Sequence, residues 1–365
     1  MPPTESASAG ALAMCACRGR EYKARDLIDA ALFRAELDSN WRQFLTGLEA
    51  EKRAEQQDLE LDHDAIDDAA ELFRYAHDLI TAEETEQWLE ARALNLVDFT
   101  DYFARQHWRS TIDEKIEPPD IDPGLAPPEL RELFTAELIF SDELDGLNTQ
   151  LMWRLAALAA TGESNLDPEK ISAERRAFFD RTKVAESKLN DWLSRVGRDE
   201  NWLDEMLSME AAYQSLCEKA LTSEARNKQL ASLRMPLTQF EAEVIELESS
   251  EAAKEALLCI RQDGMSMEEV ATDARYPYRR ITFLYEAVPE ELKQKFWSAA
   301  AGNLLDPLPR GEGFELYRII QKTEPDPTDP NVRGRIDEHL LERQFSALAS
   351  DHVQMRLGGA SVLSE

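Results

Sequence analysis

Histidine and cysteine are the scarcest chemistry in this chain of 365 residues: there are five histidines and four cysteines. Four cysteines (Cys15, Cys17, Cys217, Cys259) are too few for a disulfide scaffold in a chain of this length. The stretch "MCACRG" is C-x-C rather than C-x-x-C, and no second Cys or His pair follows at zinc spacing, so the pair reads as incidental. Basic residues are also in deficit. Lys and Arg total 41 against 72 Asp and Glu, a net charge of -31 at pH 7. That balance repels nucleic acid and anionic lipid and favours neutral or basic partners. No apolar run of about 20 residues is present, so no transmembrane helix or membrane insertion is expected. The P-loop, Gly-x-Gly-x-x-Gly, His-Glu-x-x-His and EF-hand patterns are all missing. The acidic run "LDHDAIDD" has helical spacing and does not make a calcium loop. No cofactor, no metal and no catalytic residue is therefore assigned.

The first residues, "MPPTESASAGALAMCAC", carry no basic residue, and their apolar run is interrupted by Ser and Gly. This argues against a secretory signal and for a cytoplasmic protein. Met14, not a small residue, precedes Cys15, which disfavours a lipoprotein box; Met14 is also an alternative start to Met1.

What is present is a core-forming composition, 43% hydrophobic, in a chain long enough for two or three domains. Up to about residue 200 the apolar spacing is helical. Asp26–Gln57 places Leu27, Ala30, Ala31, Phe33, Leu37, Trp41, Phe44 and Leu48 near a 3.6 period. Ile66, Ala70, Phe73 and Ala76 share the next helical face, with Asp64 as its cap. Thr81 and Glu84 have capping-box spacing. Leu96, Phe99, Phe103 and Trp108 follow on a further helix. "KIEPPDIDPGLAPPEL" then holds five prolines in sixteen residues and reads as a linker.

The pattern returns after the linker. Leu61-Asp62 corresponds to Leu166-Asp167, Ile66 to Ile171, Phe73 to Phe178, and Trp88-Leu89 to Trp192-Leu193. Phe99 and Phe103 correspond to Leu203 and Leu207. A period of about 105 residues is too long for a solenoid unit and predicts two copies of one helical subdomain.

Beyond Met235-Pro236 the character changes. Thr238–Leu247 alternates as a strand. A capped helix ending at Gly264, a short helix "SMEEVATDA" and an extended "RRITFLYEAV" follow. A helix from Pro289 to Gly302 and two strands around a Gly-rich turn complete a β-α-α-β-α-β-β order. A Pro-rich hinge leads to a last helix carrying Val332, Ile336, Leu340, Leu341 and Phe345, and the tail "GGASVLSE" is expected to fray.

This order, with "VIELESSEAAKEAL", "GMSMEEVATDA", "VPEELKQKFWSAAAGNLLDPL" and "EGFELYRIIQK", resembles the parvulin-type peptidyl-prolyl isomerases. The helical part, with "ALFRAELD" and "LITAEETEQWLEARALNLVDFTDYF", resembles the arm of SurA-like chaperones. The resemblance spans roughly residues 20 to 355. It implies an α+β, predominantly helical fold. A duplicated all-α chaperone-like region (20–113 and 129–235, joined by a linker at 114–128) is followed by a parvulin-like α+β domain (236–325) and a C-terminal helix (326–357).

The departures from that family carry the functional expectation. Members generally have a histidine in the first strand, an Asp or Cys after the second helix, and a histidine in the last strand. Here Val244, the stretch "ARYPYRRITFL" and Glu315 stand in those places, and all five histidines (His63, His77, His107, His339, His352) lie outside Thr238–Pro325. Prolyl isomerisation must lower a barrier of about 18–20 kcal/mol. A cleft that binds planar and twisted states equally gives no acceleration. The resemblance therefore implies a groove that holds extended or unfolded peptide, neutral or basic, with isomerase activity weak or lost. Its candidate lining is Phe283, Leu284, Val288, Leu292, Phe296, Trp297, Phe314 and Leu316, though each also suits a plain core. The expected function is a peptide-binding chaperone or accessory protein acting in maturation or export of a peptide. An active isomerase and a structural adaptor in a biosynthetic or secretion complex are the alternatives.

Overall fold

The helical period expected across Asp26–Gln57 breaks once, at Ala35, whose φ of 55° lies in the left-handed region. Helix α1 (Ala24–Phe33) ends there in a Schellman arrangement: the Glu36 amide donates to the Ala31 carbonyl at 3.0 Å and the Ala35 amide to that of Leu32 at 3.0 Å. Helix α2 (Asp38–Gln56) starts afresh. The corner buries Phe33, Leu37 and Trp41 almost completely. The computed structural model describes residues 8–112, 116–311 and 313–356; the "GGASVLSE" tail lies outside the described residues.

The chain divides into two compact units. The first comprises Met1–Glu218 and Gln344–Glu365. It opens with two short strands, β1 (Ala13–Cys17) and β2 (Arg20–Lys23), before α1. After α2 come α3 (His63–Ala76), α4 (Ala82–Glu90) and α5 (Leu96–Thr111). The capping box at Thr81 and Glu84 forms as expected. The cap of α3 is Asp62, accepting from the Ala65 amide at 3.1 Å, not Asp64, which lies inside the first turn, where a negative charge favours the helix dipole. Past the Pro-rich segment, α6 (Pro128–Phe140), α7 (Glu143–Thr161), α8 (Pro168–Thr182), α9 (Leu189–Val196) and α10 (Glu200–Ala220) follow. Trp41 Nε1 donates to the Ile121 carbonyl at 2.6 Å, which ties the Pro-rich segment to α2.

Aromatic clusters form the core of this unit. Phe33 stacks on Phe178 at 5.1 Å and meets Trp202 edge-on at 6.2 Å. Phe73 meets Trp88, Phe99 and Phe103 edge-on at 5.4, 5.6 and 5.7 Å. No described helix is long and apolar enough to cross a membrane.

The second unit, Lys219–Arg343, begins with the end of α10 and with α11 (Ser223–Leu233). Strand β3 (Gln239–Leu247), α12 (Ser250–Gln262), α13 (Met267–Ala274), β4 (Tyr278–Leu284), α14 (Glu290–Ser298), β5 (Leu308–Arg310) and β6 (Gly313–Thr323) follow in the expected order. Two limits differ. The helix from Pro289 stops at Ser298 because Ala299 turns extended (ψ 133°), and the extended segment closes in a 3₁₀ turn at Tyr285–Ala287. The strands form one antiparallel sheet in the order β4-β3-β6-β5. One face packs Ile245, Leu247 and Leu316 against α12 and α13 through Ala253, Ala256, Ile260, Met267, Val270 and Ala271. The other packs Phe240, Ala242 and Ile319 against Phe296 of α14, with Tyr285, Val288 and Leu308. Leu233 of α11, with Leu237, packs on Ile336 and Leu340 of α15 (Pro330–His352).

The chain then re-enters the first unit. Phe345, fully buried, lies 4.6 Å from the Tyr213 ring and 5.7 Å from that of Trp153. A last strand, β7 (Val353–Met355), pairs antiparallel with β1 to complete a sheet of order β2-β1-β7. This sheet is not among the elements expected from the sequence. The C-x-C pair lies on β1, where both cysteines are buried; burial pushes the Cys15 thiol up to about 12 and raises that of Cys17. Neither is a thiolate near neutral pH.

Candidate functional site

Alternation along β3 puts Phe240, Ala242, Val244 and Glu246 on the sheet face that α14 covers in part. Their cross-strand neighbours are Phe283, Ile281 and Arg279 on β4 and Ile319, Tyr317 and Glu315 on β6. The face has two ends of different chemistry. Under α14 it is apolar and aromatic: Phe283 stacks on Phe240 at 5.6 Å and meets Phe296 edge-on at 5.6 Å, and Phe296 meets Tyr317 at 5.2 Å. Toward Val244 it becomes charged.

Val244, where the resembled family has its first histidine, is fully buried and brings no polar atom. It lies directly opposite Arg279 on one side and Tyr317 on the other. Glu315, where the last-strand histidine is expected, lies one residue pair further along the same face, opposite Glu246. So the structure brings the two substituted positions together as diagonal neighbours. Glu315 is 5% exposed. Its Oε1 accepts from Arg279 Nη2 at 2.9 Å and from Arg310 Nη1, and its Oε2 accepts from the Tyr317 hydroxyl at 2.5 Å. Arg279 also reaches Glu246 at 2.9 Å. Burial, and then the hydrogen bond to Glu315, raise the Tyr317 phenol above its ordinary range. The charges at this end satisfy one another. Glu315 Oε1 faces two guanidinium groups and Oε2 a phenol, so the carboxylate has its partners within the protein.

The eight predicted lining residues fall in different places. Phe283, Val288, Leu292 and Phe296 pack into the cluster beneath α14. Trp297 stands at its rim, 42% exposed, tilted against Tyr285 at 5.2 Å, with the Lys322 ammonium 5.6 Å from its ring. Leu284 turns instead toward α11 and α15. Leu316 and Phe314 lie on the opposite face, with α12 and α13. Cys259 packs partly buried against that same cluster. Arg279, Arg310 and Tyr317, which complete the polar end, were not anticipated. "YRR" and "LPRGEGFELY" show the side chains, but only the pairing of β3 with both β4 and β6 brings them to one carboxylate.

The first unit holds a separate cleft of about 950 Å³, lined among others by Leu37, Trp41, Ile121, Pro123, Arg181 and Trp192. It lies where the α1–α2 corner meets the Pro-rich segment. Among the described residues, no group of three or more His, Cys, Asp or Glu side chains has metal-binding geometry.

No known family model and no curated protein matches the sequence. Solved structures similar to this chain include foldases and chaperones of the PrsA and SurA-like kind. A PrsA peptidylprolyl isomerase from Bacillus cereus is 15% identical, with 59% of this chain and 85% of that one covered and a TM-score of 0.34. The foldase PrsA from Streptococcus pneumoniae is 16% identical over 55% of this chain and 77% of that one, at a TM-score of 0.27. A structure described among SurA-like chaperones of Campylobacter jejuni is 10% identical over 60% and 89%, at a TM-score of 0.20. Identity and TM-score are low throughout, so none of these proteins' activities transfers to this chain.

Proposed function

We propose that this chain is a peptide-binding chaperone whose isomerase-like sheet holds extended polypeptide without turning it over. The observation that carries this is the state of Glu315, buried and engaged by Arg279, Arg310 and Tyr317. Catalysis of prolyl rotation requires polar groups that interact better with the twisted imide than with the planar one. At the charged end of this face the strongest donors are spent on an internal carboxylate, and the neighbouring position is an alkyl side chain, Val244. The adjacent aromatic surface of Phe283 and Trp297 still offers apolar contact to a client. The net charge of -31 selects a neutral or basic client and disfavours nucleic acid.

Fluorescence anisotropy of a labelled, unfolded, proline-containing peptide against the full chain tests this. Saturable binding that weakens on Phe283→Ala, with folding retained by circular dichroism, is the expected result. Peptides of every composition failing to bind would remove the proposal.

A further inference from the structure

We infer that the outer edge of β4 is a docking edge for an extended client segment with apolar residues at alternate positions. The inference rests on the peptide-binding function proposed above and adds where, and in what conformation, the client sits. β4 is the terminal strand of the order β4-β3-β6-β5. Two bonds fix which of its backbone groups face outward: the Tyr285 amide donates to the Thr238 carbonyl at 2.9 Å, and the Glu246 amide to that of Pro277 at 3.0 Å. With the register between them, Arg279, Ile281 and Phe283 exchange hydrogen bonds with β3. The amides and carbonyls of Tyr278, Arg280, Thr282 and Leu284 therefore point away from the sheet. Arg279, Arg280 and Thr282 are exposed.

The opposite edge is managed differently. β5 has three residues and contains Pro309, which blunts it. β4 has seven and no proline. A strand added to it would set its side chains beside half-buried Ile281 and Phe283 on one face, where β-branched or aromatic partners pair best. Arg279 shares that face and is held by Glu246 and Glu315, while Arg280 lies on the other face and is held by Glu243.

The test uses the full chain and a labelled peptide of about seven residues, long enough to span the strand, with Val and Phe at alternate positions. Thr282→Pro removes an outward amide while leaving every bond to β3. It is expected to weaken binding by about tenfold. In the unaltered chain the peptide is expected to slow hydrogen exchange at Arg280, Thr282 and Leu284 and leave Arg279, Ile281 and Phe283 unchanged. This measurement decides even if the proline variant misfolds. Undiminished affinity in a folded Thr282→Pro variant, or exchange at Arg280, Thr282 and Leu284 unmoved by bound peptide, overturns the docking edge. In that case binding of the proline-containing peptide above, still sensitive to Phe283→Ala, leaves the chaperone proposal standing; loss of both kinds of binding removes the two together.

Discussion

The Tyr317 hydroxyl donates to Glu315 Oε2 at 2.5 Å, and Tyr317 itself lies opposite Val244 on the neighbouring strand. Two side chains of β6, two residues apart, thus close the polar end of the sheet on themselves. Removing the acceptor should be felt at once. Glu315→Ala takes the acceptor from a half-buried phenol and from Arg310 and leaves Arg279 with Glu246 alone, a loss of about 1–3 kcal/mol. Glu315→Gln, which still accepts from Tyr317, should cost less. Urea unfolding read through the exchange of β6 amides measures both; equal stability of all three proteins would contradict the network.

Alkaline titration reads the same bond from the other side. Burial first, and the hydrogen bond to Glu315 second, hold the Tyr317 phenol above the ordinary value of about 10. The folded value exceeds the unfolded one, so the stabilisation is complete below pH ~10 and is lost as pH rises through the folded value. Tyr317→Phe should delete one late-ionising phenol from the ultraviolet titration of the folded chain. Deletion of a phenol that ionises at the ordinary value would show that the hydroxyl is free.

The aligned halves of the helical region repeat a contact as well as a pattern. Phe73 meets Trp88 at 5.4 Å, and Phe178 meets Trp192 at 5.4 Å, both steeply inclined. The helix bearing each Phe is capped by an Asp, Asp62 and Asp167. Phe178 is fully buried and Phe73 is not. Phe178→Ala should therefore cost about 3–5 kcal/mol and Phe73→Ala clearly less. Asp167→Ala should cost about 1 kcal/mol. Denaturant titrations of the three variants give the order directly.

Gly313 begins β6 where a Cβ would sit 2.7 Å from the Leu247 carbonyl oxygen, a backbone atom that cannot rotate aside. Gly313→Ala should open the β3–β6 pairing at that end and lower stability by about 1–3 kcal/mol. Faster exchange of amides near Leu247 is the local signature; an unchanged exchange pattern would show that the strands can shift without cost.

Local signals were legible in the sequence and distant pairings were not. β3 shows its alternation, α4 its Thr81–Glu84 box, and the module beyond Thr238 its element order, because each depends on residues within a few positions. The β2-β1-β7 sheet was hidden for the opposite reason. β1 is Ala-Met-Cys-Ala-Cys, without a β-branched residue, and its partner β7 lies at the far end of the chain. The end of α1 was hidden because Ala35, not Gly, takes the left-handed position, so no residue type marks the break. At the site, the sequence located Val244 and Glu315 by resemblance. It was silent about Arg279 and Arg310, whose long side chains choose partners only after three strands have aligned. It also had no means of telling which of the strand residues Leu316 and Phe283 faces α12 and which faces α14.

The most direct measurement is exchange spectroscopy of a proline-containing peptide with catalytic amounts of the full chain. With Glu315 held by Arg279, Arg310 and Tyr317, cis–trans exchange should proceed at its uncatalysed rate even when the peptide is bound. Acceleration that disappears in Arg279→Ala or Glu315→Gln would contradict the account, because it would make this charged end a working catalyst.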